Sequence, residues 1–120
     1  MTRFLRFNKF GNVRTFIDGI TFDSKFEGRY YCELKLRKKS GEIRDFQVKP
    51  KYELLPKNGK YRAVTYIADF LVIGKDGAEQ IIDCKGMKTE AFKLKQKMMF
   101  SILGKDVICV REEGGRYRGK

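Results

Sequence analysis

The chain contains no histidine. That absence removes serine–histidine and cysteine–histidine nucleophile pairs, zinc sites built on imidazole, and HNH-type nuclease chemistry. Any catalysis must rest on Asp, Glu, Lys, Tyr or a metal held by oxygen ligands. Cysteine is scarce as well. Cys32, Cys84 and Cys109 are far apart, odd in number, and form no CxxC pair. This argues against a zinc ribbon or a disulfide framework and fits a reducing cytoplasm. No apolar run reaches the roughly 20 residues of a membrane span, and the first residues are too polar and charged for a signal peptide. A cytoplasmic protein that does not engage membranes is therefore expected. Internal repeats, low-complexity tracts and RNP-type or KH-type motifs are also missing, which makes RNA processing the least favoured function.

Positive charge is what the chain has in excess. Lys and Arg number 27 against 15 acids, a formal net charge of +12. An excess of this size favours a polyanionic partner, nucleic acid ahead of an anionic membrane; a merely soluble basic protein is the alternative. The 120 residues, 42% apolar and 13% aromatic, suit one folded domain over 1–120 with a substantial core.

Local patterns order the chain. Residues 3–22 mix aromatic and basic side chains around Gly11 and Gly19 and read as short extended pieces, within a basic N-terminal extension over about 1–20. Phe22-Asp23-Ser24 opens a helix of about 16 residues that ends near Ser40-Gly41. Residues 43–55 read as one or two strands interrupted at Pro50, 63–73 as a strand covered on both faces, and 78–85 as another. Residues 89–103 read as a second helix stopped at Gly104, 106–111 as a final strand, and about 112–120 as a flexible basic tail. The order α-β-β-β-α-β predicts an α/β protein of the α+β kind, a central mixed sheet flanked by helices.

The strands over 63–73 and 78–85 each carry an aspartate, Asp69 and Asp83. Buried strands rarely hold unpaired acids. Lys75-Asp76-Gly77 suits a three-residue hairpin loop, with Gly77 in the left-handed position. Gly74 then pairs with Ala78, Asp69 lies opposite Asp83, and Lys85 shares their face. A four-residue loop would put the two acids on opposite faces. Like charges across a ladder repel. A shared proton or a cation relieves them, and Mg²⁺ commonly takes one or two carboxylates together with phosphate oxygens. Salt bridges to neighbouring lysines are the structural alternative.

A third acid lies on the first helix. Ser24-Lys25-Phe26-Glu27 fits a capping box, so Glu27 has a structural role open to it. It also falls within the apolar arc of Phe26, Tyr30, Tyr31 and Leu34, which points it toward the sheet and opens a ligand role. On the second helix, Ala91, Leu94, Met98, Met99 and Ile102 form the expected apolar arc, with Lys95 in its middle. Lys95 either snorkels to water or reaches a phosphate. Lys93 and Lys97 lie opposite with Gln96. Lys88, Thr89, Lys93, Lys95 and Lys97 make up a candidate DNA-binding face.

Glu27, Asp69 and Asp83-Cys84-Lys85, taken together, resemble the PD-(D/E)xK nuclease superfamily. More closely, FDSKFEGRYYCEL (22–34), YRAVTYIADF (61–70) and IIDCKGMKTEAFKLKQK (81–97) resemble a family of small phage and prophage proteins known as domain of unknown function 1064. The resemblance spans most of residues 15–111. It implies a restriction-endonuclease-like core and a Mg²⁺-dependent DNA endonuclease, with Mn²⁺ able to substitute. It implies Asp69, Asp83 and the Cys84 carbonyl as metal ligands, Glu27 as a helix carboxylate of the site, and Lys85 as the catalytic lysine. It further implies a phage-encoded, Holliday-junction-resolvase-like homodimer acting on branched DNA in the host cytoplasm, with no haem or nucleotide cofactor. A flap nuclease, a nicking or restriction-like enzyme, and a non-catalytic DNA-binding protein remain as alternatives. Ala68 stands where the motif's name has proline, and Asp83 where glutamate is commoner.

Overall fold

A computed structural model describes residues 13–85, 87–113 and 116–119. The described elements are β1 (Thr15–Ile17), β2 (Ile20–Phe22), α1 (Lys25–Lys39), β3 (Ile43–Val48), β4 (Lys51–Leu55), β5 (Val64–Ile67), β6 (Phe70–Gly74), β7 (Glu79–Cys84), α2 (Glu90–Leu103), β8 (Val107–Glu113) and β9 (Arg116–Gly119). A five-stranded mixed sheet, β3-β6-β7-β8-β9, forms the centre. Only β7 and β8 run parallel, as the α2 crossover between them allows. Within this sheet and its helices the expected order, α1-β3-β6-β7-α2-β8, is present.

Both helices carry their own start and stop signals. Ser24 caps α1, its Oγ accepting from the Glu27 N–H at 3.1 Å. At the other end Gly41 is left-handed (φ 84), with Gly41 N–H to Lys38 O and Glu42 N–H to Arg37 O closing a Schellman turn. Arg37, Lys38 and Lys39 in the last turn complement the helix dipole. Thr89 caps α2 and Gly104 (φ 68) ends it. Gly28 lets β1 approach α1, since a Cβ there would stand 3.0 Å from Ile17 Cδ1.

The loop Lys75-Asp76-Gly77 has the expected length. Gly74 and Ala78 are bonded at 2.8 Å, and Gly77 is left-handed (φ 87). Phe70 pairs with Ile82 and Leu71 with Ile81, so the same register carries Asp69 opposite Asp83.

The sheet is covered on both faces, and strand alternation sorts the residues. Phe70, Val72, Ile82, Cys84 and Val110 join Phe22, Tyr30, Tyr31 and Leu34 on the α1 side. Leu71, Ile81, Val107 and Cys109 join Leu54, Tyr66, Phe92 and Met99 on the α2 side. This double cover is why the strands read as continuous apolar runs.

Three expectations are corrected. The strand expected over 63–73 is two strands: β5 pairs with β4 in a separate hairpin, while β6 pairs with β3 and β7. The break falls at Ala68-Asp69, opposite a corner at Lys49-Pro50 where Lys49 is left-handed (φ 56). The residues expected as a flexible tail after 111 instead extend β8 to Glu113 and return as β9. The buried face of α2 is centred on Phe92 and Met99, with Gln96 donating to the Val107 carbonyl at 3.0 Å, whereas Leu94 and Ile102 of the expected arc are exposed. The expected arc put Gln96 with the lysines on the solvated side. Its bond to β8, together with the bulk of Phe92, rotates the helix the other way. Finally, residues 1–12 of the expected extension lie outside the described residues. Thr15–Ile17 and Ile20–Phe22 form a hairpin about Asp18-Gly19, both left-handed as a two-residue primed turn requires.

Candidate functional site

The corner that splits 63–73 also builds the site. At Ala68 the backbone N–H still donates to Pro50 O at 3.0 Å; one residue later the Asp69 N–H donates to Ile82 O at 3.2 Å. The chain therefore changes ladders at Asp69. As β5 swings away, β7 keeps its β8 neighbour but loses its backbone partner on the β6 side beyond Ile82, and there the Asp69 side chain steps in: Oδ2 accepts from the Cys84 N–H at 2.7 Å. A carboxylate oxygen thus stands where a ladder carbonyl would otherwise serve.

Asp83 lies on β7 and is 2% exposed. Its Oδ2 accepts from the Tyr66 hydroxyl, and its Oδ1 is 3.6 Å from Lys85 Nζ. Lys85 Nζ also sits 4.7 Å from the centre of the Phe92 ring, so α2 provides a platform for the ammonium. Asp83 and Lys85 share the α2 face, as the alternation requires. Cys84 between them turns its thiol into the α1-side core. Burial and the surrounding acids push that thiol's pKa far up, so the side chain stays neutral and the residue's carbonyl is its hard oxygen donor.

Glu27 arrives from the opposite layer. It is 7% exposed in the first turn of α1, and its Oε1 accepts a long 3.4 Å bond from the Asp23 N–H. The capping box is therefore half made: Ser24 serves the Glu27 N–H, while Glu27 reaches back to Asp23 rather than to Ser24 itself. Burial first, then the charges of Asp23 and Asp83, push Glu27 up to about 7. Asp69 keeps some exposed surface, yet protein atoms strip most water from its carboxyl. Burial, Asp83 and Glu27 together push it up to about 9, and the Asp83 carboxyl lies within hydrogen-bonding reach of it. Three acids thus meet at one end of β6 and β7, and they resist ionising together.

These acids are hard oxygen donors suited to Mg²⁺ or Mn²⁺, which retain several waters and need only one or two carboxylates. Among the described residues no group of three or more Asp, Glu or Cys side chains is arranged to hold a metal ion. The fit therefore rests on the Asp69–Asp83 pair, with Glu27 beside it.

The candidate DNA-binding residues are distributed around this centre. The Thr89 hydroxyl is occupied in capping, accepting from the Phe92 N–H at 3.1 Å. Lys93 pairs with Glu90 at 3.3 Å. Lys88 and Lys97 are exposed and Lys95 is half-buried; no ion pair joins Lys95 or Lys97 to the acids among the described residues. Burial raises the pKa of the Cys109 thiol, and the charges of Lys88 and Lys85 partly offset that rise.

Sequence reading overlooks Tyr66, Phe92 and Lys49. Tyr66 was detectable in principle, because a buried tyrosine on an apolar strand needs a partner for its hydroxyl. Phe92 is visible only once the α2 face is known. Lys49, whose charge partly offsets that of Glu27, depends on the corner at Lys49-Pro50. No helix among the described residues is long and apolar enough to cross a membrane.

A family model described as a protein of unknown function, DUF1064, matches residues 7–108. The chain belongs to that family, as the three sequence segments indicated. No curated protein matches it.

Proposed function

We propose that this DUF1064 member is a Mg²⁺-dependent DNA endonuclease of the PD-(D/E)xK type, selective for branched DNA in the manner of a junction resolvase. The observation that carries this reading is the meeting of Asp69, Asp83 and Glu27 beside Lys85 at the open end of one ladder. Buried acids that raise one another's pKa are costly to a fold, and pure DNA binding does not require them. The +12 charge supplies the attraction for a polyanion.

Asp69, Asp83 and the Cys84 carbonyl would hold the cation, with Glu27 completing its surroundings. A divalent cation bound there supplies Lewis acidity toward a phosphoryl oxygen and acidifies a bound water. With its pKa raised in the metal-free fold, Asp69 would have to release a proton to act as a ligand. Lys85 Nζ, propped on Phe92, donates hydrogen bonds to the phosphoryl oxygens or to the attacking water. Lys88, Lys93 and Lys97 meet the DNA backbone on the α2 side. A homodimer would supply two such centres for paired nicks. Products with 5′ phosphate and 3′ hydroxyl ends are those of similar enzymes.

Incubating the protein with linear duplex, single-stranded and four-way-junction DNA, in Mg²⁺ or EDTA, tests the reading. Mg²⁺-dependent cutting is expected, with symmetric paired nicks at the junction. Binding without cutting in either Mg²⁺ or Mn²⁺ would favour a non-catalytic DNA-binding protein.

A further inference from the structure

Tyr66 belongs to β5, outside the central sheet, yet it touches the most deeply buried acid of the site. It is 4% exposed, and its hydroxyl donates to Asp83 Oδ2. Its ring packs on Phe92 at 6.2 Å between centroids, and the same Phe92 ring carries Lys85 Nζ at 4.7 Å. Lys85 in turn stands 3.6 Å from Asp83 Oδ1. Three side chains, from β5, α2 and the residue after β7, therefore close around the one carboxylate that β7 contributes. These contacts make its two oxygens unequal: Oδ2 meets a hydroxyl donor buried in the core, while Oδ1 faces the ammonium of a partly exposed lysine.

We propose that Tyr66 is a positioning residue: by holding Asp83 Oδ2 it leaves Oδ1 as the single oxygen that Asp83 offers to a divalent cation. The inference rests on the metal-centre reading above. Hydrogen bonds to a carboxylate are stronger than those between neutral groups, and this one joins two nearly inaccessible side chains. It fixes the carboxylate plane against rotation. A cation that took both oxygens of Asp83 would have to displace a buried hydroxyl that bonds to no other acceptor among the described residues, leaving an unsatisfied donor. A cation that took Oδ1 would displace the lysine contact and leave the Tyr66 bond in place, freeing Lys85 to turn toward the substrate, while Asp69 beside Asp83 would share the same cation. Tyr66 thus links the corner at Ala68-Asp69 to ligand geometry: the strand segment that delivers Asp69 also orients Asp83.

The test measures Mn²⁺ affinity by electron paramagnetic resonance of the free ion, on the full chain without DNA. Tyr66→Phe keeps the ring and removes the hydroxyl. Groups that orient a metal ligand typically contribute about 10-fold to 100-fold in affinity, so Tyr66→Phe is expected to bind Mn²⁺ about 10-fold more weakly while still folded by circular dichroism. Tyr52→Phe, in the same core cluster, is expected to match the wild type. Equal affinity in Tyr66→Phe and wild type would overturn this inference alone. A wild type that binds no Mn²⁺ would overturn the metal-centre reading and this inference with it. A wild-type crystal structure with Mn²⁺ decides independently of how the variant folds. One Asp83 oxygen on the metal with the Tyr66 bond intact supports the inference; two oxygens on the metal with Tyr66 displaced contradicts it.

Discussion

The two ends of the β6–β7 ladder are built to opposite rules. At the closed end, Asp76 is exposed and its Oδ1 accepts from the Ala78 N–H at 3.0 Å, while Gly77 provides the one left-handed residue that the turn requires. The Gly77 N–H donates to the Gly74 carbonyl at 3.0 Å, and the acid is in water. At the open end, past the four paired positions from Ile73–Glu79 to Phe70–Ile82, Asp69 and Asp83 face each other with Glu27 nearby, and protein packing excludes most of the water that would separate their charges. The same pair of strands is thus optimised for stability at one end and burdened at the other. Such local conflict is characteristic of function rather than folding.

The difference can be broken most visibly through activity. Lys85→Ala and Asp83→Asn are expected to lower Mg²⁺-dependent cleavage at least about a hundredfold, the scale of losing one electrostatic contact to the transition state. Both should remain folded by circular dichroism. Retained cleavage in either would remove that residue from the chemistry.

A second contrast is in pH. Carboxyls in an unfolded chain ionise near pH 4. Glu27 and Asp69 in the fold ionise near 7 and 9. Between these values the folded state holds more protons than the unfolded one, so the stability they contribute is complete below about pH 4 and is lost as pH rises toward 9. Metal-free protein should therefore become easier to unfold with urea across that range, by a few kcal/mol. Asp69→Asn should flatten the slope. A flat wild-type profile would mean that the acids are already neutralised by protein groups.

The closed end should respond differently. Gly77→Ala forces a Cβ onto a left-handed residue, at a cost of about 1–2 kcal/mol in stability. Because the change is remote from Asp69 and Asp83, Mn²⁺ affinity of the folded protein should be unchanged. A large loss of affinity would show that the two ends are mechanically coupled.

Much of this contrast is legible in the sequence, because a three-residue turn and strand alternation together align Asp69, Asp83 and Lys85. Those rules are local. The corner at Ala68-Asp69 is not, since it arises where a second ladder, β4 with β5, departs from the first across Lys49-Pro50. A run of apolar residues looks alike whether or not it changes partners. The face of α2 is obscured for a related reason: its exposed Leu94 and Ile102 are as apolar as the buried Phe92 and Met99, and a polar anchor, Gln96, decides the rotation. Tyr66 is hidden because its partner is seventeen residues away and on another strand. The β9 hairpin is hidden by composition, since a basic, glycine-rich end looks like a tail even when its backbone extends a sheet.

Thermal unfolding of the wild type at pH 8, with and without Mg²⁺, tests the central claim without needing the right DNA. If the open end is a cation site, Mg²⁺ must raise the midpoint in proportion to the logarithm of its concentration above Kd, and Asp69→Asn must lose most of that gain. A wild-type midpoint that does not move up to millimolar Mg²⁺, or one that moves equally in Asp69→Asn, would contradict the account.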